Sequence, residues 1–182
     1  MRYKHKRQAL TDEESSLLVS SCKTQEEKLV IWTLLETGLR VEEFCSLTLA
    51  NTNLANRRFR VLGKNTKGGE KKVRVVPMTS TIQVLLNHHF AINNDIGMST
   101  RTANRIVHRV AVRAGIMRKD VSPHVLRHTF AVKSLRDGVS VADLSKILGH
   151  EDMETTLIYL NPTDEDSCRS FLETKEGPKQ KR

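Results

Sequence analysis

The chain has 182 residues, the size of one ordinary domain, and 38% of them are hydrophobic, enough to bury a core. Its 30 Lys and Arg against 21 Asp and Glu leave a formal net charge of +9, whose simplest use is a polyanionic partner. No apolar run approaches the roughly 20 residues of a membrane helix, the basic start MRYKHKRQAL has no apolar run behind it, and the three cysteines (Cys22, Cys45, Cys168) lack CxxC spacing, which argues against membrane insertion, secretion, a disulfide framework and a zinc site.

In chain order, residues 1–9 read as a basic linker stub and Leu10-Thr11-Asp12-Glu13-Glu14 as the cap and first turn of a helix carrying Leu17, Leu18 and Val19. Residues 26–36 (EEKLVIWTLLE) are apolar on nearly every side, as a central buried helix is, and Gly38 suits a left-handed stop. A second helix with Val41, Phe44 and Cys45 at helical spacing then starts near Arg40. RRFRVLGK and KKVRVVPM alternate with the two-residue period of strands, and the segment 65–70 between them holds Gly68 and Gly69, so they form a β-hairpin. Everything after it reads as helix. Thr79 to Phe90 and Thr100 to Ala114 are amphipathic, the second stopped by Gly115. Ser122-Pro123 opens a helix to about Arg136 as N-cap and first-turn proline, and Ser140 to Asp143 resembles a capping box before a short helix that ends at Gly149. The expected fold is thus α+β, mostly helical, with a small antiparallel hairpin at one edge. It spans residues 10–174, and residues 175–182 form a disordered tail.

Several residues could do chemistry. His124 and Arg127, three apart, share one face of the first turn of their helix, where unpaired backbone N–H groups also favour an anion. Taken alone, such a pair is more often merely solvated. Arg40 follows directly on the Thr37-Gly38-Leu39 break, from which a guanidinium can be held rigidly against two phosphate oxygens, with Glu43 one turn later to brace it. An ordinary surface Arg/Glu pair accounts for that segment equally well. His150 follows a helix-stopping glycine, and Tyr159 lies nine residues on; since Tyr3 sits in the basic stub, Tyr159 is the well-placed phenol. Most such tyrosines are half-buried core residues.

The motifs TGLRVEE, HVLRHT and LGHEDMETTLIYL, in this order and at these separations, resemble the tyrosine recombinases, the phage-integrase and Xer family, from about Leu10 to Tyr159. The resemblance implies that family's catalytic domain. Within it Arg40 corresponds to the first arginine, His124 and Arg127 to the HxxR pair, His150 to the second histidine and Tyr159 to the nucleophile. The family's hairpin lysine has two candidates, Lys64 in LGK and Lys67 in TKG, with Lys64 placed ahead. Family members usually carry a preceding helical DNA-binding domain that closes a clamp; here only the short stub precedes Leu10, the expectation for a catalytic fragment or a minimal member with weak, salt-dependent DNA binding.

The implied chemistry is transesterification. A phenol with pKa ~10 needs help to lose its proton, so His124 is the expected general base for Tyr159. Arg40 and Arg127 would grip the nonbridging oxygens, His150 would donate beside them, and the lysine would protonate the leaving 5′ hydroxyl. A 3′-phosphotyrosyl bond would conserve the energy for rejoining, with no metal or other cofactor required. Double-stranded DNA is the expected partner, because aromatic residues, at 4%, are too few for a base-stacking single-strand binder. Arg101, Arg105, Arg109 and Arg113 form an i, i+4 stripe read as a phosphate-contacting face. The resemblance further implies self-assembly on DNA as a tetrameric synapse, with exchange of a C-terminal helix over residues 164–174, and a cytoplasmic location. The competing readings are a type IB topoisomerase-like relaxing enzyme, a non-catalytic DNA-binding regulator and a nonspecific basic DNA-binding domain.

Overall fold

The computed structural model describes residues 8–63 and 73–149. The first described helix is α1 (Asp12–Ser20), where the cap expected from the sequence takes the form of a reciprocal capping box between Thr11 and Glu14. The central helix, α2 (Gln25–Thr37), buries Leu29, Val30, Ile31, Thr33 and Leu34, and Gly38 ends it in the left-handed conformation, φ 61°. A short α3 (Val41–Cys45) follows with Arg40 at its N-cap. Then come three strands, β1 (Thr52–Asn53), β2 (Arg58–Leu62) and β3 (Val73–Pro77), forming an antiparallel sheet in the order β1-β2-β3. The hairpin expectation holds for β2 and β3, with Phe59 opposite Val76 and Val61 opposite Arg74. The sheet gains a third strand, β1, too short to show periodicity in the sequence.

Four helices complete the described fold: α4 (Ser80–Phe90), α5 (Thr100–Arg113), α6 (Pro123–Arg136) and α7 (Val141–Leu148). Ser122 is the N-cap of α6 with Pro123 in its first turn, as expected, though its side chain makes no cap hydrogen bond. One local expectation is corrected. At α7, Ser140 Oγ accepts from the Asp143 backbone N–H while donating to its carboxylate, so the Asp143 carboxylate is taken by the hydroxyl and no reciprocal box forms.

Helix α2 is the hub, packing against α1, α3, α4, α5 and α6. Around it Leu18, Ile31, Leu34, Leu39, Phe44, Phe59, Ile82, Leu86, Ile106 and Leu126 are fully buried, each contributing about 1.5–3 kcal/mol by leaving water. A smaller cluster of Ala131, Leu144 and Leu148, with Phe130 beside it, joins α6 to α7, and α7 in turn packs on β3. Among the described residues no helix is long and apolar enough to cross a membrane.

One polar contact crosses this core. Glu27 of α2 is 1% exposed, and its carboxylate accepts from the Lys23 backbone N–H, from Arg109 and twice from Arg113. The Arg113 hydrogen bond outweighs the cost of burying the charge and lowers the Glu27 pKa from 4.5 to about 2. Half of the arginine stripe on α5 therefore pairs with a buried carboxylate, clamping α5 to α2.

Two predictions follow from this packing. A Cβ at Gly38 would fall inside contact distance of Phe130 and 2.9 Å from Leu148, on a backbone that L-residues avoid. Gly38→Ala is expected to cost about 2–4 kcal/mol in urea unfolding. Gly115→Ala, at φ 70° with nothing within 4 Å, should lose only the conformational part, about 1–2 kcal/mol. Glu27→Gln should lower stability by about 1–3 kcal/mol at neutral pH. Because the folded pKa is depressed, the difference from the parent should be complete above pH 4.5 and shrink as pH falls toward 2. A pH-independent difference in the unfolding midpoints would show that the charge is not what Glu27 contributes.

Candidate active site

The site starts from the turn that Gly38 permits. The chain leaves α2, reverses, and places Arg40 at the N-cap of α3 with its backbone extended, so its side chain starts where two helix ends meet. Glu43, one turn later, accepts the Arg40 backbone N–H at 2.7 Å and Arg40 Nη1 at 3.0 Å. The bracing expected from the sequence is present, but the surface-pair alternative is not: Glu43 is only 7% exposed.

What lets a carboxylate be buried there is a second guanidinium. Arg74 of β3 meets Glu43 bidentately, Nη1 to Oε1 at 2.7 Å and Nη2 to Oε2 at 2.8 Å, and donates from Nε to the Ile147 carbonyl of α7 at 2.8 Å. Burial alone would raise the Glu43 pKa. The hydrogen bonds and charge of Arg74, with the N–H and charge of Arg40, outweigh it and hold the carboxyl below its ordinary value. Arg74 was not among the sequence candidates. In the structure Arg74 shares the inward phase of β3 with Val76 while Val73 and Val75 are exposed, so an arginine occupies a core-facing position that strand periodicity alone does not reveal.

Arg127 reaches the same point from α6. It is 4% exposed, donating from Nη1 to the Gly38 carbonyl at 2.6 Å and from Nη2 to the Leu148 carbonyl at 2.7 Å, with Nη1 3.9 Å from Glu43 Oε2. Its partners are the C-terminal carbonyls of α2 and α7, the negative ends of two helix dipoles. Three guanidinium groups from α3, β3 and α6 thus converge on one carboxylate, an arrangement with excess positive charge. Of the three, Arg40 is the most exposed, its side chain 31% open against 10% for Arg74 and 5% for Arg127.

His124 lies exposed on the first turn of α6, one turn before Arg127. His128 is half-buried, and desolvation, followed by the nearby charges of His124 and Arg118, lowers its pKa. Arg101, Arg105 and Arg109 are exposed on α5 and Arg113 is partly buried; Arg109 and Arg113 also pair with Glu27. Lys64, Lys67, His150 and Tyr159, like the C-terminal segment 164–174, lie outside the described residues. Gly63 and Gly149 are the described neighbours of Lys64 and His150. Among the described residues no group of three or more His, Cys, Asp or Glu side chains could hold a metal ion.

Known proteins share this arrangement of elements. The family model described as the phage integrase family matches residues 8–166. Tyrosine recombinase XerA of Saccharolobus solfataricus is 36% identical over 168 residues, covering 90% of this chain and 55% of the relative. The crystal structure of a XerA recombinase superposes with a TM-score of 0.80 at 28% identity, over 96% of this chain and 67% of that one. The Tn1549 transposon integrase, solved in complex with transposon right end DNA, shares the fold with a TM-score of 0.70 at 22% identity, over 96% of this chain and 68% of that one. The chain spans about half the length of the curated relatives it matches. On the family match and the XerA likeness, the chain belongs to the phage integrase family, and its described residues carry the fold of a tyrosine recombinase catalytic domain.

Proposed function

We propose that the protein is a site-specific DNA recombinase that cleaves and rejoins duplex strands through a 3′-phosphotyrosyl intermediate. The observation that carries this reading is the convergence of Arg40 and Arg127, from α3 and α6, around Glu43. A phosphodiester gains negative charge on its nonbridging oxygens as a nucleophile adds, and rigid guanidiniums with net positive charge around them favour that state over the ground state. Arg127, locked by two helix-end carbonyls, supplies the fixed part of this field; Arg40, the more open of the two, is the one placed to approach the phosphate.

In this reading Tyr159 attacks phosphorus, His124 takes its proton, His150 donates to a nonbridging oxygen, and Lys64 or Lys67 protonates the departing 5′ oxygen. Bond formation from the Tyr159 oxygen to phosphorus balances loss of the 5′ oxygen. The reverse attack by a 5′ hydroxyl restores both the DNA and the phenol. The partner is double-stranded DNA, with Arg101 and Arg105 as the phosphate contacts that α5 leaves open and Arg109 and Arg113 mainly serving Glu27. Assembly of four copies on DNA, exchange of the segment 164–174 between them and a cytoplasmic location belong to the same proposal. The similar proteins are tyrosine recombinases by name, which favours recombination over a topoisomerase-like relaxing enzyme or a silent DNA-binding regulator.

The deciding experiment offers the protein a pool of nicked random duplexes at low salt, so that cleavage traps the enzyme, and looks for a covalent adduct after denaturation. The parent should form it and Tyr159→Phe should not. An adduct that persists in the variant would reassign the nucleophile, and none from the parent would overturn the reading. The two arginines should separate in the same assay. Arg40→Ala should leave thermal stability within about 1 kcal/mol of the parent yet slow adduct formation by roughly a hundredfold or more. Arg127→Ala should do both kinds of damage, costing about 2–4 kcal/mol in stability because buried carbonyls lose their donors. Equal stability of the two variants would show that Arg127 is not part of the packing.

A further inference from the structure

We infer that Arg74 is a positioning residue for the recombination chemistry: by bridging Glu43 to the end of α7, it fixes the carboxylate that orients Arg40 and borders Arg127. The inference rests on the recombinase reading and goes beyond it, because Arg74 is outside the set of residues which the sequence motifs mark. Three observations carry it. Arg74 spends both terminal nitrogens on Glu43 and its Nε on the Ile147 carbonyl, so one rigid guanidinium plane spans β3, α3 and α7. Glu43 in turn holds Arg40 by backbone and side chain. The fit is tight on the other side as well: a Cβ at Gly149 would stand 2.8 Å from Arg74 Cδ and 3.0 Å from its Nε, so Gly149 at the end of α7 lies against the arginine stem.

Consider the cluster without it. Glu43 would keep Arg40, but the carboxylate plane would lose the two donors that fix its rotation. The Ile147 carbonyl in the last turn of α7 would lose the donation of Arg74 Nε. Arg127 holds that helix end at the next carbonyl, Leu148. Loosening Glu43 and the end of α7 together therefore loosens both arginines. Lysine cannot substitute, since a single ammonium cannot meet two carboxylate oxygens and a carbonyl in one plane. Only 10% of the Arg74 side chain is open to solvent, so this arginine serves the cluster and leaves contact with DNA to Arg40.

The test compares Arg74→Lys and Arg74→Met with the parent in single-turnover adduct formation on nicked duplex, measuring the rate at saturation and the half-saturating DNA concentration separately. Arg74→Lys should form the adduct on the order of 10–100-fold more slowly at saturation, with half-saturation unchanged within about twofold and a folded far-UV spectrum. In Arg74→Met the acid limb of the rate–pH profile should move to higher pH. Among the described residues the charged groups facing Glu43 are the cations Arg40, Arg74 and Arg127, so removing one lets the carboxyl protonate earlier. Combined with Glu43→Gln, Arg74→Lys should add little further loss, as expected of two residues acting as one unit. Parent-like rates in both variants would sink the inference. So would a defect confined to half-saturation, which would make Arg74 a direct phosphate contact. If Arg74→Met does not fold, Arg74→Lys decides alone. A parent that forms no adduct overturns the recombinase reading itself and this inference with it, so the two failures are told apart.

Discussion

The buried carboxylate of Glu43 is the constraint on which the rest of the site depends. A charge taken out of water must be met by partners that satisfy its lone pairs, and the attraction only balances the desolvation cost when the geometry is good. Glu43 gets a bidentate arginine, a backbone N–H and a second arginine. The converse matters as much. Without a shared anion, three guanidiniums gathered from α3, β3 and α6 would repel one another. One carboxylate makes the cluster possible, and too few carboxylates for the arginines leave it positive.

Such clusters are rarely retained for stability, since well-packed apolar residues often serve as well. The molecule contains its own comparison. Glu27 is as deeply buried as Glu43 and also holds two arginines, but Arg109 and Arg113 leave 48% and 27% of their side chains open and tie two helices of the core together. Around Glu43 the two arginines Arg74 and Arg127 are almost closed off, and both turn their remaining donors to backbone carbonyls at helix ends. Both clusters use the same residue types. The second sets the partly open guanidinium of Arg40 beside two others that are closed off and fixed to helix ends, a rigid positive base of the kind a phosphate site needs.

How far the sequence revealed this depended on the range of each interaction. The Thr11/Glu14 cap, the Gly38 stop and the Pro123 start were legible because the residues that satisfy them lie within a turn. The Arg40–Glu43 brace was legible for the same reason. Arg74 was not, because its partner lies 31 residues away and strand periodicity gives two faces without saying which is inward. Apolar residues stand on both faces of β3, Val73 and Val75 on one and Val76 on the other, and the packing of Phe59, Val61 and Val76 settles which is inward. On α5, helical spacing shows which residues share a face but not that α2 presents Glu27 to Arg109 and Arg113. The two-residue β1 carries no period at all.

The partners chosen by Arg74 and Arg127 explain why the site is bound so closely to the fold. Ile147, Leu148 and Gly38 contribute backbone carbonyls, so no side-chain replacement at those positions can delete an acceptor. Only a shift of the helix ends can. At α2 the end is held where Gly38 meets Phe130 and Leu148 so closely that a methyl group has no room, and at α7 Gly149 meets Arg74 in the same way. Helix termini left bare would expose unpaired carbonyls in the interior. The arginines close them, and the helix ends in return hold the arginines. The geometry around Glu43 is therefore set by where α2, α7 and β3 stand relative to one another, so whatever moves one of them moves Arg40 and Arg127 together.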